Sequence, residues 1–153
     1  PVLTRYTDGE GNFVFAEIYT QIGATSRTIT MSYTNQAGTA GQTSVATDIG
    51  NTNFREVSRV IFLPLASGDT GVQAVKSVTL SATTGTAGNF GITIGHPIAY
   101  VHVSVAGVSG WRDFSTGLPG LMKIPDNAHL ALIWIGSTTT APDVFGNLVF
   151  VEK

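Results

Sequence analysis

Histidine and carboxylate side chains are the groups of this chain from which acid–base or metal chemistry would start. The three histidines, His96, His102 and His129, show no ligand spacing, whereas a metal site needs several convergent ligands. We therefore interpret them as polar strand residues or structural hydrogen-bond partners. The ten acidic residues lie mostly in turn-like segments, where aspartate accepts hydrogen bonds from nearby backbone N–H groups. No pair among them has the pattern of a glycosidase acid and its partner carboxylate.

Two glycine-containing segments match catalytic or phosphate-binding motifs only in part. In residues 106–110 the serine is followed at once by glycine, so the Gly-x-Ser-x-Gly spacing of a nucleophile elbow is not met. Residues 85–91 are rich in glycine but lack the Lys-Ser/Thr ending and the following helix of a phosphate loop. The chain has no cysteine, which excludes thiol chemistry and disulfides. These observations predict a protein that is not an enzyme and that uses no cofactor or metal.

Aromatic side chains offer a different kind of chemistry, the stacking of rings on a ligand or a partner. Trp111 lies in a polar context that predicts a loop, whereas Trp134 lies in an apolar run that predicts a buried strand. A loop tryptophan is typical of a lid over the core or of an interface anchor, because tryptophan is enriched at interfaces. Trp111 is therefore a candidate contact residue. A carbohydrate-binding platform around Trp111, Phe114 or Tyr100 remains an alternative.

The composition limits the classes of partner. Of the 153 residues only 12% are charged and 42% are hydrophobic, whereas an average soluble domain has about 25% charged residues. The net charge is −2 and the eight basic residues are scattered, so the sequence predicts no nucleic-acid partner, which would need clustered positive charge. No apolar run approaches the roughly 20 residues of a membrane span, so it predicts no membrane partner. A weakly charged surface instead favours association with other proteins.

Short segments of alternating character predict the elements that would position these residues. In residues 28–34, Ile29, Met31 and Tyr33 share one face and threonine or serine the other, as in a half-buried antiparallel strand. We expect residues 57–65 to form a central strand and Val45 to be the apolar anchor of another. No helix of ten or more residues is predicted. The predicted strands are residues 13–22, 28–34, 42–49, 57–65, 72–80, 91–96, 98–105, 129–135 and 148–151.

Such regularly spaced short strands predict an all-β fold, a single-domain antiparallel β-sandwich. We place the sandwich in residues 13–153 and assign residues 1–12 to a short extended N-terminal arm that ends in a turn. The Asp8-Gly9 pair within that turn is a hairpin signal. The arm has too little apolar content to fold alone, so it could add to a neighbour's sheet edge.

Three segments of the chain have a distinctive sequence: YTNQAG at residues 33–38, LPLASGDTGV at residues 63–72 and VTLSATTGTAGNFG at residues 78–91. They resemble parts of tailed-bacteriophage virion proteins, most closely the small capsid decoration, or cement, proteins. The resemblance implies a jelly-roll-like sandwich that sits as a homotrimer on the outer capsid surface and bridges neighbouring capsomers. It implies that the partners are the major capsid protein and further copies of the chain. It also implies a virion location after synthesis in the bacterial host cytoplasm.

Within that interpretation, Arg5 and Tyr6 of the arm are candidate contacts to the capsid or to a sister subunit, together with Trp111. Deletion of residues 1–7 is then expected to leave a folded domain that no longer joins capsids. Two alternatives remain open from the sequence. One is a tail or fibre component with the same fold, since a fold does not define a function, and the other is a carbohydrate-binding domain for receptor recognition.

Overall fold

Seven β-strands make up the regular structure of the described part of the chain. The computed structural model describes residues 3–103, 107–111 and 124–135, and these residues form strands but no helix. All strand pairings are antiparallel, which confirms the all-β prediction. The strands are β1 (Phe13–Thr20), β2 (Arg27–Asn35), β3 (Gln42–Thr43), β4 (Thr47–Ile49), β5 (Val60–Phe62), β6 (Val72–Leu80) and β7 (Asn89–Gly95).

The strands are arranged in two sheets, as expected for a small β-sandwich. One sheet has three strands in the order β5-β1-β7. In the other, β2 is the central strand. Because β6 pairs with β2 from Ile29 to Asn35, the short strands β3 and β4 lie end to end along its opposite edge. The predicted antiparallel sandwich is therefore confirmed, and its jelly-roll-like connectivity remains a prediction.

The core lies between the sheets and follows the period-two pattern of the sequence. On β2, Ile29, Met31 and Tyr33 are fully buried, which confirms the alternation read from residues 28–34. On β1, Val14, Ala16 and Ile18 point to the same core, because successive strand side chains alternate between faces. The remaining buried members of this core are Ile22, Ile49, Ile61, Leu63 and Val72.

The outer face of the three-stranded sheet is aromatic. The rings of Phe13 and Phe15 lie 5.8 Å apart between centroids, and the rings of Phe13 and Phe62 lie 5.1 Å apart. On the neighbouring strand β7, a Cβ at Gly95 would meet the ring of Phe13 at 2.9 Å. The absence of a side chain there leaves room for the ring, so this strand glycine is explained by aromatic packing.

Two predicted strands differ from those observed. One is shorter and lies at the edge of its sheet, and the other is divided into two short strands. The segment predicted as a central strand at residues 57–65 forms only β5, which lies at the edge of its sheet. The segment at residues 42–49 divides into β3 and β4, and Val45, expected as its apolar anchor, is exposed. Its backbone N–H instead donates to the carbonyl oxygen of Pro64 at 2.9 Å. This bond links the edge of one sheet to the edge of the other. The pairing of residues 42–49 with β2 is therefore interrupted between β3 and β4.

The strands predicted at residues 98–105 and 129–135 do not form within the described residues. Trp134, expected in the core, is 42% exposed, so that prediction is wrong. The error has a physical cause, since an apolar run indicates that a segment is buried somewhere but does not identify the surface that covers it. The strand predicted at residues 148–151 lies outside the described residues, as do residues 104 and 105.

Candidate interaction surface

The two candidate contact residues of the N-terminal segment pack against their own chain. Tyr6 has a positive φ of 47°, and its carbonyl oxygen accepts a hydrogen bond from the N–H of Gly9 at 2.9 Å, which forms the turn. The Arg5 guanidinium donates to the carbonyl oxygen of Asn127 at 2.7 Å. The Tyr6 ring stacks on the ring of His96, with centroids 3.7 Å apart. Residues 3–12 are therefore held by contacts at one end of the sandwich.

Asn12 connects these contacts, and sequence reasoning did not identify it as a site residue. Its buried amide nitrogen donates to the carbonyl oxygens of Tyr6 and Val72, at 3.1 and 3.0 Å. Its Oδ1 atom therefore faces His96 Nδ1, 3.0 Å away, so this ring nitrogen carries the donated proton. The available signal was the position of Asn12 at the end of a glycine-rich turn, where asparagine side chains commonly bond to backbone groups.

Replacement of Tyr6 by alanine should release the N-terminal segment without unfolding the sandwich. The substitution removes the stacking on His96, an aromatic contact of about 0.5–1.5 kcal/mol. We expect faster trypsin cleavage after Arg5 and little change in the global midpoint of denaturation. Thr7→Ala is the matched control, since Thr7 is exposed in the same segment. Equal cleavage rates for the two variants would show that the ring does not hold the segment. This substitution is cleaner than deletion of residues 1–7, which also removes the Arg5 contact.

The largest unusual feature of the described structure is an exposed set of apolar side chains, here called the apolar surface. These residues lie in residues 98–103, 107–111 and 124–135, about a fifth of the described chain, yet they supply nine of its thirteen exposed large hydrophobic side chains. Trp111 is 83% exposed and Leu132 is 92% exposed. The members are Tyr100, Val101, Val103, Val108, Trp111, Leu130, Leu132, Trp134 and Ile135.

The apolar surface is also nearly without charge. No aspartate, glutamate, lysine or arginine occurs from residue 77 to residue 111, and Asp126 is the only one in residues 124–135. Isolated surface hydrophobic residues are normal, whereas contiguous apolar patches mark protein or ligand contacts; these nine are concentrated in three segments of the chain. Depletion of charge together with exposed aromatic residues is typical of the central part of protein interfaces. The surface is thus suited to binding another apolar surface.

The described structure does not show the three predicted contact residues, Arg5, Tyr6 and Trp111, in contact with one another. Arg5 and Tyr6 contact residues of their own chain, as described, whereas Trp111 belongs to the apolar surface. Sequence reasoning identified Trp111 because of its polar neighbours. It missed Leu132, Trp134 and Ile135, because their apolar run was expected to be a buried strand.

A partly buried polar network joins two of the segments that carry the resemblance to virion proteins. The hydroxyl group of Tyr33 donates to Asp69 Oδ2 at 2.5 Å and accepts from the N–H of Ala66 at 2.8 Å. The amide of Asn35 donates to the other Asp69 oxygen at 2.8 Å. Gln36 Oε1 accepts from the N–H of Thr70 at 3.1 Å. These hydrogen bonds tie residues 33–38 to residues 63–72 at one end of the sandwich, here called its closed end.

The described residues meet the requirements of neither a metal site nor a membrane-spanning helix. They contain no group of three or more histidine, cysteine, aspartate or glutamate side chains placed to hold a metal ion. They form no helix at all, and so none that could cross a membrane. Comparisons of the chain with protein-family models, with curated proteins and with solved structures give no match.

Proposed function

We propose that this chain is a non-enzymatic structural protein of a tailed-bacteriophage virion, and that it decorates the outer head surface and stabilises the shell. The observation that carries the proposal is the apolar surface, which places uncharged aromatic and aliphatic side chains in solvent on an otherwise well-packed sandwich. Such a surface gains free energy when a protein partner covers it. The resemblance of residues 33–38, 63–72 and 78–91 to decoration proteins supports the choice of partner.

The proposed mechanism is stabilisation by binding. A protein that binds the assembled shell more tightly than its free subunits shifts the equilibrium toward the shell. Several copies linked in one oligomer, such as the proposed homotrimer, would bind with avidity even where each contact is weak. No reacting group is needed for this role, only a stable sandwich and an adhesive surface. The major capsid protein is the proposed partner of the part of the apolar surface around Val108 and Trp111.

The test is co-sedimentation of the purified chain with phage heads assembled without it. Val108 and Val57 form a matched pair, because both are exposed valines, 60% and 56% respectively, and only Val108 belongs to the apolar surface. We expect the unmodified chain and Val57→Asp to sediment with the heads and to raise their melting temperature. Val108→Asp should lose most of the binding, because it places a charge in an apolar contact. Failure of the unmodified chain to sediment with heads would refute the decoration role.

A carbohydrate-binding role in receptor recognition is the second candidate, and a specific observation favours it. Trp111 and Tyr100 are both strongly exposed, and aromatic faces of this kind suit stacking on sugar rings. This role predicts binding on a glycan array that Trp111→Ala abolishes while Val57→Asp retains it. The decoration role predicts no glycan binding by any of these chains, so the two candidates give opposite results in one experiment.

A further inference from the structure

The Asp8-Gly9 pair of the N-terminal turn has a chemical reactivity that the proposed function does not use. In such a pair the backbone nitrogen of the glycine readily attacks the aspartate side chain, because glycine has no Cβ to obstruct the approach. Asp8 is exposed, so water reaches the reacting atoms. The pair is therefore a candidate site of spontaneous covalent modification.

The reaction needs no reactant besides water and has two steps. In the first, the Gly9 nitrogen forms a bond to Cγ of the protonated Asp8 carboxyl group. The amide hydrogen and the carboxyl hydroxyl group leave together as water, and a succinimide ring results. In the second step, water adds to one of the two ring carbonyl carbons and breaks its bond to the Gly9 nitrogen. Opening at the former main-chain carbonyl gives isoaspartate, in which the main chain runs through Cβ and Cγ, whereas opening at Cγ restores aspartate.

The fold holds the reacting peptide group at both of its ends. The N–H of Gly9 donates to the carbonyl oxygen of Tyr6 at 2.9 Å. The carbonyl oxygen of Asp8, which belongs to the same peptide group, accepts from the side-chain amide of Gln73 at 3.2 Å. Attack on Cγ removes the proton that Gly9 donates to Tyr6, and ring closure moves the planar peptide group that Gln73 holds. The folded turn therefore opposes the reaction.

Position 9 cannot lose this reactivity by carrying a larger residue. Gly9 has a φ of +77°, and a Cβ there would lie 2.7 Å from the carbonyl carbon of Val72 and 2.8 Å from the nitrogen of Gln73. Both are main-chain atoms of β6, and a positive φ is itself unfavourable for residues with a side chain. The fold therefore requires glycine at the position where glycine also makes the preceding aspartate reactive.

Isoaspartate at position 8 does not fit the folded turn. The carbonyl oxygen of Gly9 accepts from the N–H groups of Asn12 and Val72, both at 3.0 Å, so Gly9 joins the turn to the first residue of β6. Gly71 packs directly against the same carbonyl oxygen, where even a Cβ would overlap it. Isoaspartate lengthens the main chain by one carbon just before Gly9. The added carbon displaces Gly9 and breaks its bonds to Asn12 and Val72.

We propose that Asp8 is a modification site, at which opening of the N-terminal segment lets isoaspartate form, and that isoaspartate then keeps the segment from closing again. Folded proteins open locally at a lower free energy than global unfolding requires, and a reaction of the open form follows its population. The Tyr6 ring on His96 and the bonds around Gly9 keep that population low. The reaction involves only this chain and water, so it is independent of the virion role.

The test measures isoaspartate in the unmodified chain, in Gln73→Ala and in Thr79→Ala during incubation at neutral pH and physiological temperature. Gln73 is remote in sequence from the reactive pair, so its replacement leaves the intrinsic reactivity of the pair unchanged. Thr79 is exposed on the same strand and gives the matched control. Trypsin releases residues 6–27, in which Asp8 is the only aspartate, and chromatography separates the isoaspartate form at unchanged mass. A synthetic peptide of residues 6–27 gives the rate without protection by the fold.

We expect the unmodified chain and Thr79→Ala to react roughly tenfold or more slowly than the peptide. Gln73→Ala should react about fivefold faster than the control, the factor that corresponds to one lost hydrogen bond. Asp8→Glu should give no product, since its longer side chain does not form the same ring. Isolated isoaspartate-containing chains should be cleaved by trypsin after Arg5 faster than fresh chains. Equal rates in folded chain and peptide, equal rates for the two variants, or equal cleavage after Arg5 would each overturn the proposal.

Discussion

Replacement of Gly23 by alanine is expected to lower the free energy of unfolding by about 3 kcal/mol, the upper part of the range for overpacking. A Cβ at this position would overlap the backbone carbonyl oxygen of Thr84 and approach the backbone nitrogen of Thr86 at 2.6 Å. Both neighbours are main-chain atoms, which cannot rotate away as a flexible side chain can. The loop that follows β6 would have to move away from the end of β1.

That movement would also break hydrogen bonds, which is why the expected effect is large. The N–H of Gly23 donates to the Thr84 hydroxyl group at 3.1 Å, and the N–H of Thr25 donates to the Thr84 carbonyl oxygen at 3.1 Å. Thr84 is buried, so groups that lose these partners are not readily compensated by water. The measurement is urea denaturation at neutral pH, supported by a melting temperature that should fall by roughly 6–12 °C.

Gly38→Ala is the matched control for this substitution. Gly38 has a φ of +79°, but a Cβ added there would have no other atom within 4 Å, so only backbone conformation opposes the change, at about 1–2 kcal/mol. Gly23 has the reverse properties, a crowded position without a positive φ. A loss for Gly23→Ala no larger than that of the control would contradict the steric explanation.

The strands that the sequence predicts well are those that obey a period of two. Residues 28–34 alternate clearly and form β2 almost as expected. Residues 72–80 form β6 as expected, but register shifts in its pairing with β2 interrupt the alternation. A buried side of such a strand sets its register, because a shift by one residue would turn every apolar side chain outward. The alternation in the sequence therefore predicts both where the strand lies and which of its faces is buried.

The segments that the sequence predicts poorly depend on what lies beside them. Residues 129–135 are as apolar as a core strand, but the described structure leaves Leu132 and Trp134 accessible, since burial depends on a partner as well as on composition. Asn12 shows the converse case. A polar turn residue becomes a buried hydrogen-bonding centre because Tyr6, Val72 and His96 converge on it. The glycine-rich turn indicates that Asn12 bonds to nearby backbone, but its contacts with Val72 and His96, 60 and 84 residues away, leave no local pattern.

Replacement of Tyr33 by phenylalanine is expected to cost about 2–3 kcal/mol at neutral pH, since hydrogen bonds to charged groups are among the stronger ones. The substitution retains the buried ring but removes the hydroxyl group that donates to Asp69 and accepts from the N–H of Ala66. The Asp69 carboxylate then keeps only the Asn35 amide among these side-chain donors. Tyr19→Phe is the matched control, because the Tyr19 side chain is half-exposed and its loss of a hydroxyl should have little effect.

The pH dependence of this difference identifies the hydroxyl proton as its source. Burial, together with the hydrogen bond to Asp69, raises the pKa of Tyr33 from 10.0 to about 12. A raised pKa means that folding favours the protonated phenol, so its contribution is complete below pH 10 and is lost as the pH rises through about 12. The stability gap between the unmodified chain and Tyr33→Phe should therefore stay constant from pH 7 to pH 10 and then narrow. Urea denaturation across this range measures it, and a gap that stays unchanged up to pH 12 would show that the proton shared with Asp69 is not what stabilises the closed end of the sandwich.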